Sequence, residues 1–97
     1  MMAFRLTRKA RDDLLSIGRH TARKWGRQQR NFYLKQLDAA FHRLAENPAL
    51  APCCDDIRPG YRKYLVGRHV IFFRPLDSND IEIVRLLHVR MDVDRHL

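Results

Sequence analysis

Residues 61–91 constrain the fold of this chain more than any other stretch. They hold two short apolar runs and one long one, with turn residues between them. Many of the apolar residues are β-branched or aromatic, the types that fit a pleated, half-buried surface: Val66, Val70, Ile71, Phe72, Phe73, Ile81, Ile83 and Val84. The stretch therefore predicts three strands, joined by a tight turn at Gly67 and a longer, polar turn at residues 75–80.

Side chains of the last predicted strand alternate between two faces. One face carries Ile81, Ile83, Arg85, Leu87, Val89 and Met91, and we predict that it is the core face. The other carries Glu82, Val84, Leu86, His88 and Arg90. Because this second face is apolar only at its centre and basic toward its end, it is either partly covered or open for a ligand.

Two amphipathic helices are predicted before these strands. Thr7 offers a cap for the first helix, and Gly26 ends it. At about 100° per residue, its apolar stripe is Ala10, Leu14, Ile17, Gly18, Thr21 and Trp25. The second helix starts near Gln28 and ends at Asn47-Pro48, with Tyr33, Leu34, Leu37, Ala40, Phe41 and Leu44 as its stripe. Since neither helix is stable alone, the pair must pack as a hairpin on the core face of the sheet.

Two aromatic residues of these helices have alternative interpretations. Trp25 lies at the end of the first stripe, which favours packing in the core over a contact with a target. Phe32 falls off the second stripe, so it is either exposed by chance or a contact for a partner helix.

The elements follow one another in the order strand, helix, helix, strand, strand, strand. A short extended segment at residues 3–6 comes first, an aperiodic loop at residues 47–60 joins the helices to the meander, and Asp92 caps a helical turn in the tail. The predicted fold class is α+β, with a helical hairpin packed on an antiparallel sheet in one domain of residues 1–97. One edge of that sheet is predicted to stay unpaired, which invites a strand from a partner.

Composition excludes several classes of protein. No apolar run approaches the roughly 18 residues of a membrane span, and the N-terminus lacks the apolar core of a signal peptide, so we expect a cytoplasmic protein with no membrane contact. Adjacent Cys53 and Cys54 are predicted to be reduced, solvent-facing thiols. The chain contains no Gly-rich phosphate loop, no Cys-x-x-Cys and no His-Glu-x-x-His, so neither a cofactor nor a metal is expected.

The net charge of +8 lies mainly on the helical half. Residues 1–47 hold eleven Lys or Arg against four Asp or Glu (+7), whereas residues 48–97 hold eight against seven (+1). Such a field favours an acidic partner, either nucleic acid or an acidic protein segment. The plain alternative is a solvated basic face.

The predicted strands carry a second basic cluster: Arg62, Lys63, Arg68, His69, Arg74, Arg85, His88 and Arg90. Cations with a histidine could hold an RNA backbone and transfer a proton during phosphodiester cleavage, or they could form a binding surface. For His88, the alternative to catalysis is a structural or hydrogen-bonding role.

Six segments, spread over nearly the whole chain, resemble the ParE branch of the RelE/ParE toxin superfamily. They are L-T-R-K-A-R-D-D-L, T-A-R-K-W-G, L-A-E-N-P, I-R-P-G-Y-R, V-G-R-H-V-I-F-F-R and V-R-L-L-H-V-R-M-D. No single segment is diagnostic, but their order and spacing together are specific. The resemblance implies a RelE/ParE-like fold and a bacterial toxin that inhibits DNA gyrase by binding it, without catalysis. It also implies a ParD-like acidic antitoxin, bound to the toxin in a hetero-oligomer.

We assign candidate residues on this basis. Antitoxin binding is predicted for the exposed helical arginines Arg19, Arg23, Arg27 and Arg30. Target binding is predicted for Trp25, Arg68, Arg74 and Arg90. The sister RelE branch consists of ribosome-dependent mRNA endonucleases, and under that alternative the catalytic residues are His88, Arg85, Arg90 and Arg62. A third alternative is a plain nucleic-acid-binding module that uses the basic helical face.

Overall fold

The computed structural model describes residues 3–97, and its elements follow the predicted order. They are β1 (Phe4–Leu6), α1 (Arg8–Trp25), α2 (Arg27–Glu46), a 3₁₀ turn (Pro48–Leu50), β2 (Arg62–Val66), β3 (His69–Pro75), β4 (Ile81–His88) and α3 (Val93–His96). The α+β class with a helical hairpin packed on a sheet is therefore confirmed.

The four strands form one mixed sheet in the order β1-β4-β3-β2. β2, β3 and β4 are the predicted antiparallel meander, while β1 pairs in parallel with β4, with Phe4 opposite Ile81. Two antiparallel helices return the chain to the end of the sheet that it left, so β2 runs in the direction of β1. Two hairpins later β4 runs that way again, which makes its pairing with β1 parallel.

The helix ends are where the capping residues predict them. The Thr7 side chain accepts a hydrogen bond from the Ala10 N–H at 3.0 Å, and Gly26 ends α1 with a φ of 94°. α2 begins at Arg27, directly after Gly26, and ends at the predicted Asn47-Pro48. Asp92 caps α3 by accepting from the Asp94 N–H, as predicted for the tail.

The main core lies between the helical hairpin and one face of the sheet. Its buried members are Ala10, Ile17, Leu37, Ala40, Phe41, Leu44, Ala45, Ala51, Ile71, Phe73, Ile81, Ile83 and Leu86. Trp25 is not among them, because it is the last residue of α1, and its side chain is 65% exposed. The prediction that Trp25 packs in the core is wrong, whereas Phe32 is exposed as expected.

A β-bulge in β4 overturns the predicted alternation of that strand. Phe73 lies opposite Ile83 and Phe72 opposite Arg85, so Val84 is an extra residue on β4. Beyond the bulge the faces are exchanged: Leu86 joins the main core with Ile81 and Ile83. The predicted core residues Arg85 and Leu87 therefore face the other side, and His88 turns to the helical side.

The second face of the sheet is partly covered, which is one of the two predicted alternatives. Phe72, Leu87 and Cys54 are buried there beneath the loop and the C-terminal tail, with Ile57, Tyr61, Val70, Val93 and Leu97 packed around them. Both cysteines are free, as predicted, and Cys53 is exposed. Cys54 is buried, however, because the loop folds its side chain against Phe72 and Leu87, so the prediction of a solvent-facing thiol is wrong at that position.

The outer edge of β2 is open only in part. The Lys63 N–H donates to the Pro52 carbonyl at 3.2 Å and the Cys54 N–H to the Tyr61 carbonyl at 2.8 Å, so the loop closes the first half of the edge. By strand alternation the backbone N–H and C=O of Leu65 point the same way, and within residues 3–97 they have no partner. In that range no helix is long and apolar enough to cross a bilayer.

Candidate functional site

A cleft of about 600 Å³ opens at one end of the sheet, where the β2–β3 turn and the end of β4 meet the junction of the two helices. We call it the hairpin cleft. It is lined by His20, Thr21, Lys24, Trp25, Gln29, Tyr33, Gly67, Arg68, His69 and His88. Three imidazoles, two aromatic rings and two permanent cations thus share one concave surface, and its lining includes no carboxylate.

A two-residue turn forms one wall of the hairpin cleft. Val66 pairs with His69, which leaves Gly67 and Arg68 as the turn. Gly67 has a φ of 56°, and a Cβ at this position would lie 2.8 Å from Tyr33 Cε1. The Arg68 carbonyl accepts from the Val89 N–H at 2.9 Å. Only glycine fits this turn, which α2 holds on one side and the end of β4 on the other.

Tyr33 connects α2 to the turn through its hydroxyl group. The hydroxyl donates to the Val66 carbonyl at 3.0 Å and lies 2.7 Å from Nδ1 of His69. Burial raises the pKa of Tyr33, and the backbone N–H of Arg68 opposes that shift only in part. Tyr33 is therefore a neutral hydrogen-bonding group at neutral pH.

His69 and His88 lie opposite each other on β3 and β4, with ring centroids 5.4 Å apart in an edge-on arrangement. Burial lowers the pKa of His69 to about 4, and the nearby charges of His88 and His20 act in the same direction. His69 is thus neutral at pH 7. The Arg90 N–H donates to Nδ1 of His88 at 3.1 Å, so a neutral His88 carries its proton on Nε2.

The rim of the hairpin cleft is electropositive. Lys24 and Arg68 are exposed, and Nζ of Lys24 lies 5.5 Å from the centroid of the Trp25 ring. α2 starts beside them without a side-chain cap and without an acidic residue in its first turn. Because Gln29 of that turn lines the cleft, the positive end of the α2 dipole adds to the field at the rim.

Arg85, a predicted catalytic residue, is bound to α1. Its Nε and Nη2 donate to the two carboxylate oxygens of Asp13 at 2.8 and 2.9 Å, and its Nη1 donates to the His96 carbonyl at 2.6 Å. Both side chains of the pair are only 15% exposed. The hydrogen bonds that Arg85 donates to Asp13 raise the pKa of Arg85 against the opposing effect of burial.

The predicted catalytic set does not form one cluster. Arg62 donates through Nη1 to the Ala51 carbonyl at 2.6 Å and pairs with Phe73, four residues along β2 from the Val66 row. That spacing separates it from the His69–His88 row by about 13 Å. Of the three arginines, only Arg90 lies next to His88, through the backbone bond described above.

The predicted target-binding residues also divide. Trp25 and Arg68 line the hairpin cleft, and Arg90 follows the end of β4 beside it. Arg74 lies toward the opposite end of the sheet, where its Nε donates to Glu82 at 2.9 Å. Trp25 and Arg68 therefore share the cleft surface, Arg90 adjoins it, and Arg74 is distant from it.

The predicted antitoxin-binding arginines surround the tip of the helical hairpin. Arg19, Arg23 and Arg27 are exposed, and no carboxylate of residues 3–97 lies within 4 Å of their charged atoms. Arg30 is half-buried, with its guanidinium donating to Oδ1 of Asn31. A separate apolar groove of about 490 Å³ runs along the outside of the hairpin, lined by Phe4, Leu6, Arg11, Leu14, Leu15, Leu34, Asp38 and Phe41.

The sequence prediction missed the part that α2 plays in the hairpin cleft. Tyr33 belongs to the apolar stripe that predicts a core position, and no sequence pattern marks Lys24 or Gln29 as lining residues of a site. The meeting of His69 with His88 was equally hidden, since without the bulge at Val84 the register of β4 would place Leu87 opposite His69. The sequence marks this end of the sheet by the glycine of the Gly67 turn and by the basic cluster that includes Arg68, His69 and His88.

Comparison with known proteins gives a consistent result. Residues 4–93 match the family described as "ParE toxin of type II toxin-antitoxin system, parDE". The chain is 49% identical over 74 residues to Toxin ParE1 of Mycobacterium tuberculosis, a match that covers 76% of each protein. It is 35% identical over 97 residues to Toxin ParE1 of Caulobacter vibrioides, covering 100% of this chain and 99% of that one. Toxin ParE of Escherichia coli is 32% identical over 93 residues, or 96% and 90% of the two chains.

Solved structures with the same fold include two toxin–antitoxin proteins. A chain of the chromosomal ParDE toxin–antitoxin system from P. aeruginosa superposes with a TM-score of 0.77 at 22% identity, covering 91% of this chain and 96% of that one. A chain of the RelBE2 toxin–antitoxin complex from Mycobacterium tuberculosis gives a TM-score of 0.65 at 19% identity, with coverages of 90% and 96%. At these identities the similarity establishes the common architecture.

Proposed function

The chain belongs to the ParE toxin family of type II toxin–antitoxin systems, and on this basis we propose that it stops bacterial growth by binding DNA gyrase in the cytoplasm. The observation that carries this proposal is the family match over residues 4–93, together with full-length relatives named as ParE toxins. A ParD-like acidic antitoxin neutralises the toxin in a hetero-oligomer.

The arrangement of the basic residues supports binding over catalysis. Arg85 is held by Asp13 and Arg62 by the Ala51 carbonyl, so neither guanidinium is free to stabilise a developing charge on a substrate. Trp25 and Arg68, by contrast, are exposed on one surface, where an aromatic anchor and a cation favour contact with another macromolecule.

Two features of the helical hairpin support an acidic antitoxin. The exposed arginines Arg19, Arg23 and Arg27 have no internal acidic partner among residues 3–97, and they belong to the half of the chain that carries most of the positive charge. The apolar groove beside β1 offers room for the hydrophobic side of an amphipathic segment. The arginine charges would speed association with the antitoxin, and the groove would bury apolar side chains of the bound segment.

One observation favours the ribosome-dependent endonuclease as a second candidate function. Tyr33, His69 and His88 meet in one cleft with Lys24 and Arg68, so groups that carry protons lie next to cations. The pKa of His69, lowered to about 4, makes this histidine a weak base at pH 7, so His88 and Tyr33 are the stronger candidates for proton transfer. Unlike the catalytic set predicted from the sequence, these residues line a single cleft.

A pair of assays on the purified toxin decides between the two functions. Supercoiling by gyrase and cleavage of ribosome-bound mRNA are measured with wild type, His88→Ala and, as a matched histidine control, His42→Ala on the exposed face of α2. We expect inhibition of supercoiling and intact message. Message cut by wild type and by His42→Ala but not by His88→Ala, with supercoiling untouched, would reject gyrase inhibition and establish the endonuclease.

A further inference from the structure

Building on the proposed function, we infer that the hairpin cleft is the surface that contacts the target, and that it takes an acidic peptide segment. In this arrangement a carboxylate of the target lies between Lys24 and Arg68, and an adjacent apolar or aromatic side chain of the target packs on Trp25. The inference goes beyond the family match, which names no surface of this chain.

The charge of the hairpin cleft selects an anion. Lys24 and Arg68 face it from two different elements, the end of α1 and the β2–β3 turn, and none of its lining residues is acidic. The uncapped first turn of α2 adds N–H groups that have no side-chain acceptor, with Gln29 at the cleft wall. A carboxylate placed here meets two cations and a helix N-terminus.

Trp25 gives the cleft an apolar anchor. It is the single tryptophan of the chain, its side chain is 65% exposed, and it contributes nothing to either buried cluster. Exposing a large aromatic ring to water is unfavourable, and tryptophan with arginine is enriched among the residues that dominate binding energy at protein interfaces. Trp25 and Arg68, which line the same cleft, are residues of these two types.

The same geometry favours a peptide over a nucleic-acid strand. A strand needs a track of cations that follows its backbone phosphates. On the sheet, the arginines that could extend such a track are engaged internally: Arg62 by the Ala51 carbonyl, Arg74 by Glu82 and Arg85 by Asp13. Lys24 and Arg68 are the cations that line the cleft itself, which suits one or two carboxylates, whereas Arg90 and the exposed arginines of the helical hairpin lie outside its lining.

The hairpin cleft is separate from the apolar groove to which we assign the hydrophobic side of the antitoxin. The hairpin cleft and the apolar groove share no lining residue. Variants of Trp25 and Arg68 therefore test the target contact while the groove stays intact.

The first test measures gyrase inhibition by Trp25→Ala, Arg68→Glu and Arg68→Lys, with Arg58→Glu on the distant loop as the charge-matched control. We expect Trp25→Ala and Arg68→Glu each to weaken inhibition about tenfold or more, which corresponds to about 1.4 kcal/mol of binding. Arg68→Lys, which keeps the charge, should weaken gyrase inhibition less than Arg68→Glu does. The control Arg58→Glu should inhibit gyrase as strongly as wild type. Melting curves verify that each variant is folded.

The second test identifies what enters the cleft. A photo-crosslinking amino acid replaces Gln29, and the toxin is irradiated with gyrase and its DNA; a second toxin carries the same group at Lys35, which lies outside the cleft. We expect Gln29 adducts on an acidic stretch of gyrase. Adducts on DNA, or adducts from Lys35 alone, would overturn the inference.

The outcomes separate this inference from the proposed function. Wild-type toxin that inhibits gyrase, with Trp25→Ala and Arg68→Glu equally potent, leaves gyrase as the target and rejects the cleft as the contact. Wild-type toxin that leaves gyrase unaffected rejects both.

Discussion

At the scale of single residues, both the backbone conformation of Gly67 and its contact with Tyr33 disfavour a side chain at this position. Gly67→Ala places a side chain at a φ of 56° and sets its Cβ 2.8 Å from the Tyr33 ring. We expect a loss of about 1 to 3 kcal/mol in the free energy of unfolding, measured by urea denaturation. Gly60→Ala is the matched control, because Gly60 also has a positive φ, 82°, but no atom within 4 Å of the added Cβ. Equal losses for the two variants would mean that contact with Tyr33 costs nothing.

His69 makes the stability of the protein depend on pH. Its pKa is about 4 in the folded state against an ordinary value of 6.5, so the unfolded chain binds a proton first as the pH falls. The contribution of His69 is fully present above pH 6.5 and is lost progressively between pH 6.5 and pH 4. The groups that act on it are Tyr33, His88, His20 and Asp13.

The variant His69→Gln isolates this contribution. Unfolding free energies at pH 7.0, 5.5 and 4.5 should fall less steeply for His69→Gln than for wild type. His42→Gln, which replaces an exposed histidine of α2, should keep the wild-type slope. If wild type and His69→Gln had the same slope between pH 6.5 and 5.0, His69 would not titrate abnormally.

Trp25 should matter little to stability. Because its side chain is largely exposed at the end of α1, Trp25→Ala should change the unfolding free energy by no more than about 0.5 kcal/mol. The buried Phe73→Ala serves as the comparison and should cost about 3 to 5 kcal/mol. A melting temperature for Trp25→Ala that falls as far as that of Phe73→Ala would contradict its exposed position.

Trp25 also shows what helical periodicity leaves undetermined. A period of about 3.6 residues places a side chain on one side of a helix, and every other member of the α1 stripe does turn inward. Periodicity gives no information on whether the partner surface extends as far as the helix. The last turn of α1 reaches the cleft instead of the core, and so an apolar position becomes a surface position.

At the scale of elements, α1 acts as a substitute for a missing strand. β1 ends at Leu6, yet its neighbour β4 continues to His88. The Thr7 hydroxyl donates to the Val84 carbonyl at 2.7 Å, and Asp13 accepts from the Leu86 N–H at 2.9 Å. Thr7, the N-cap of α1, and Asp13 of its second turn thus satisfy backbone groups that a longer β1 would have paired.

Asp13 is therefore predicted to be the most costly acidic residue to remove. Asp13→Ala leaves Arg85 without its partner in a site where both side chains are mostly buried, and it leaves the Leu86 N–H without an acceptor. We expect a loss of about 3 to 5 kcal/mol in unfolding free energy. Glu82→Ala breaks the more exposed pair with Arg74 and should cost less than about 1 kcal/mol. Similar costs for both variants would contradict the structural role of Asp13.

The order and type of the elements could be predicted from the sequence, whereas the bulge could not. Caps, stripes and turn residues are local signals, and they located both helices and the three meander strands. At the bulge around Val84, β4 is hydrogen-bonded to Thr7 and Asp13, which lie more than 70 residues away along the chain and give no local signal. That bulge also places His88 opposite His69. Strand alternation alone therefore could not predict that the two histidines meet in the hairpin cleft.

At the scale of the whole molecule, charge is the property that the sequence describes best. A net charge follows from counting residues, but its effect depends on which cations are already paired. Arg62, Arg74 and Arg85 all have internal acceptors, so the sheet offers less free positive charge than its composition suggests. The exposed arginines of the hairpin tip have no such internal acceptor carboxylate among residues 3–97. The positive electrostatic field available to a partner is therefore concentrated on the helices.

This concentration leads to a prediction for the antitoxin. The double variant Arg19→Glu/Arg23→Glu reverses two exposed charges in the last turns of α1, and we expect it to weaken antitoxin binding with most of the change in the association rate. The matched control is Arg58→Glu/Arg95→Glu, which changes net charge equally on the opposite side of the sheet.

Binding kinetics are measured at about 50 and 300 mM salt. The difference between the two double variants should shrink at the higher salt, because exposed charges are screened over a shorter distance. If both double variants bound the antitoxin with equal affinity at low salt, the hairpin tip would not be the surface that attracts it.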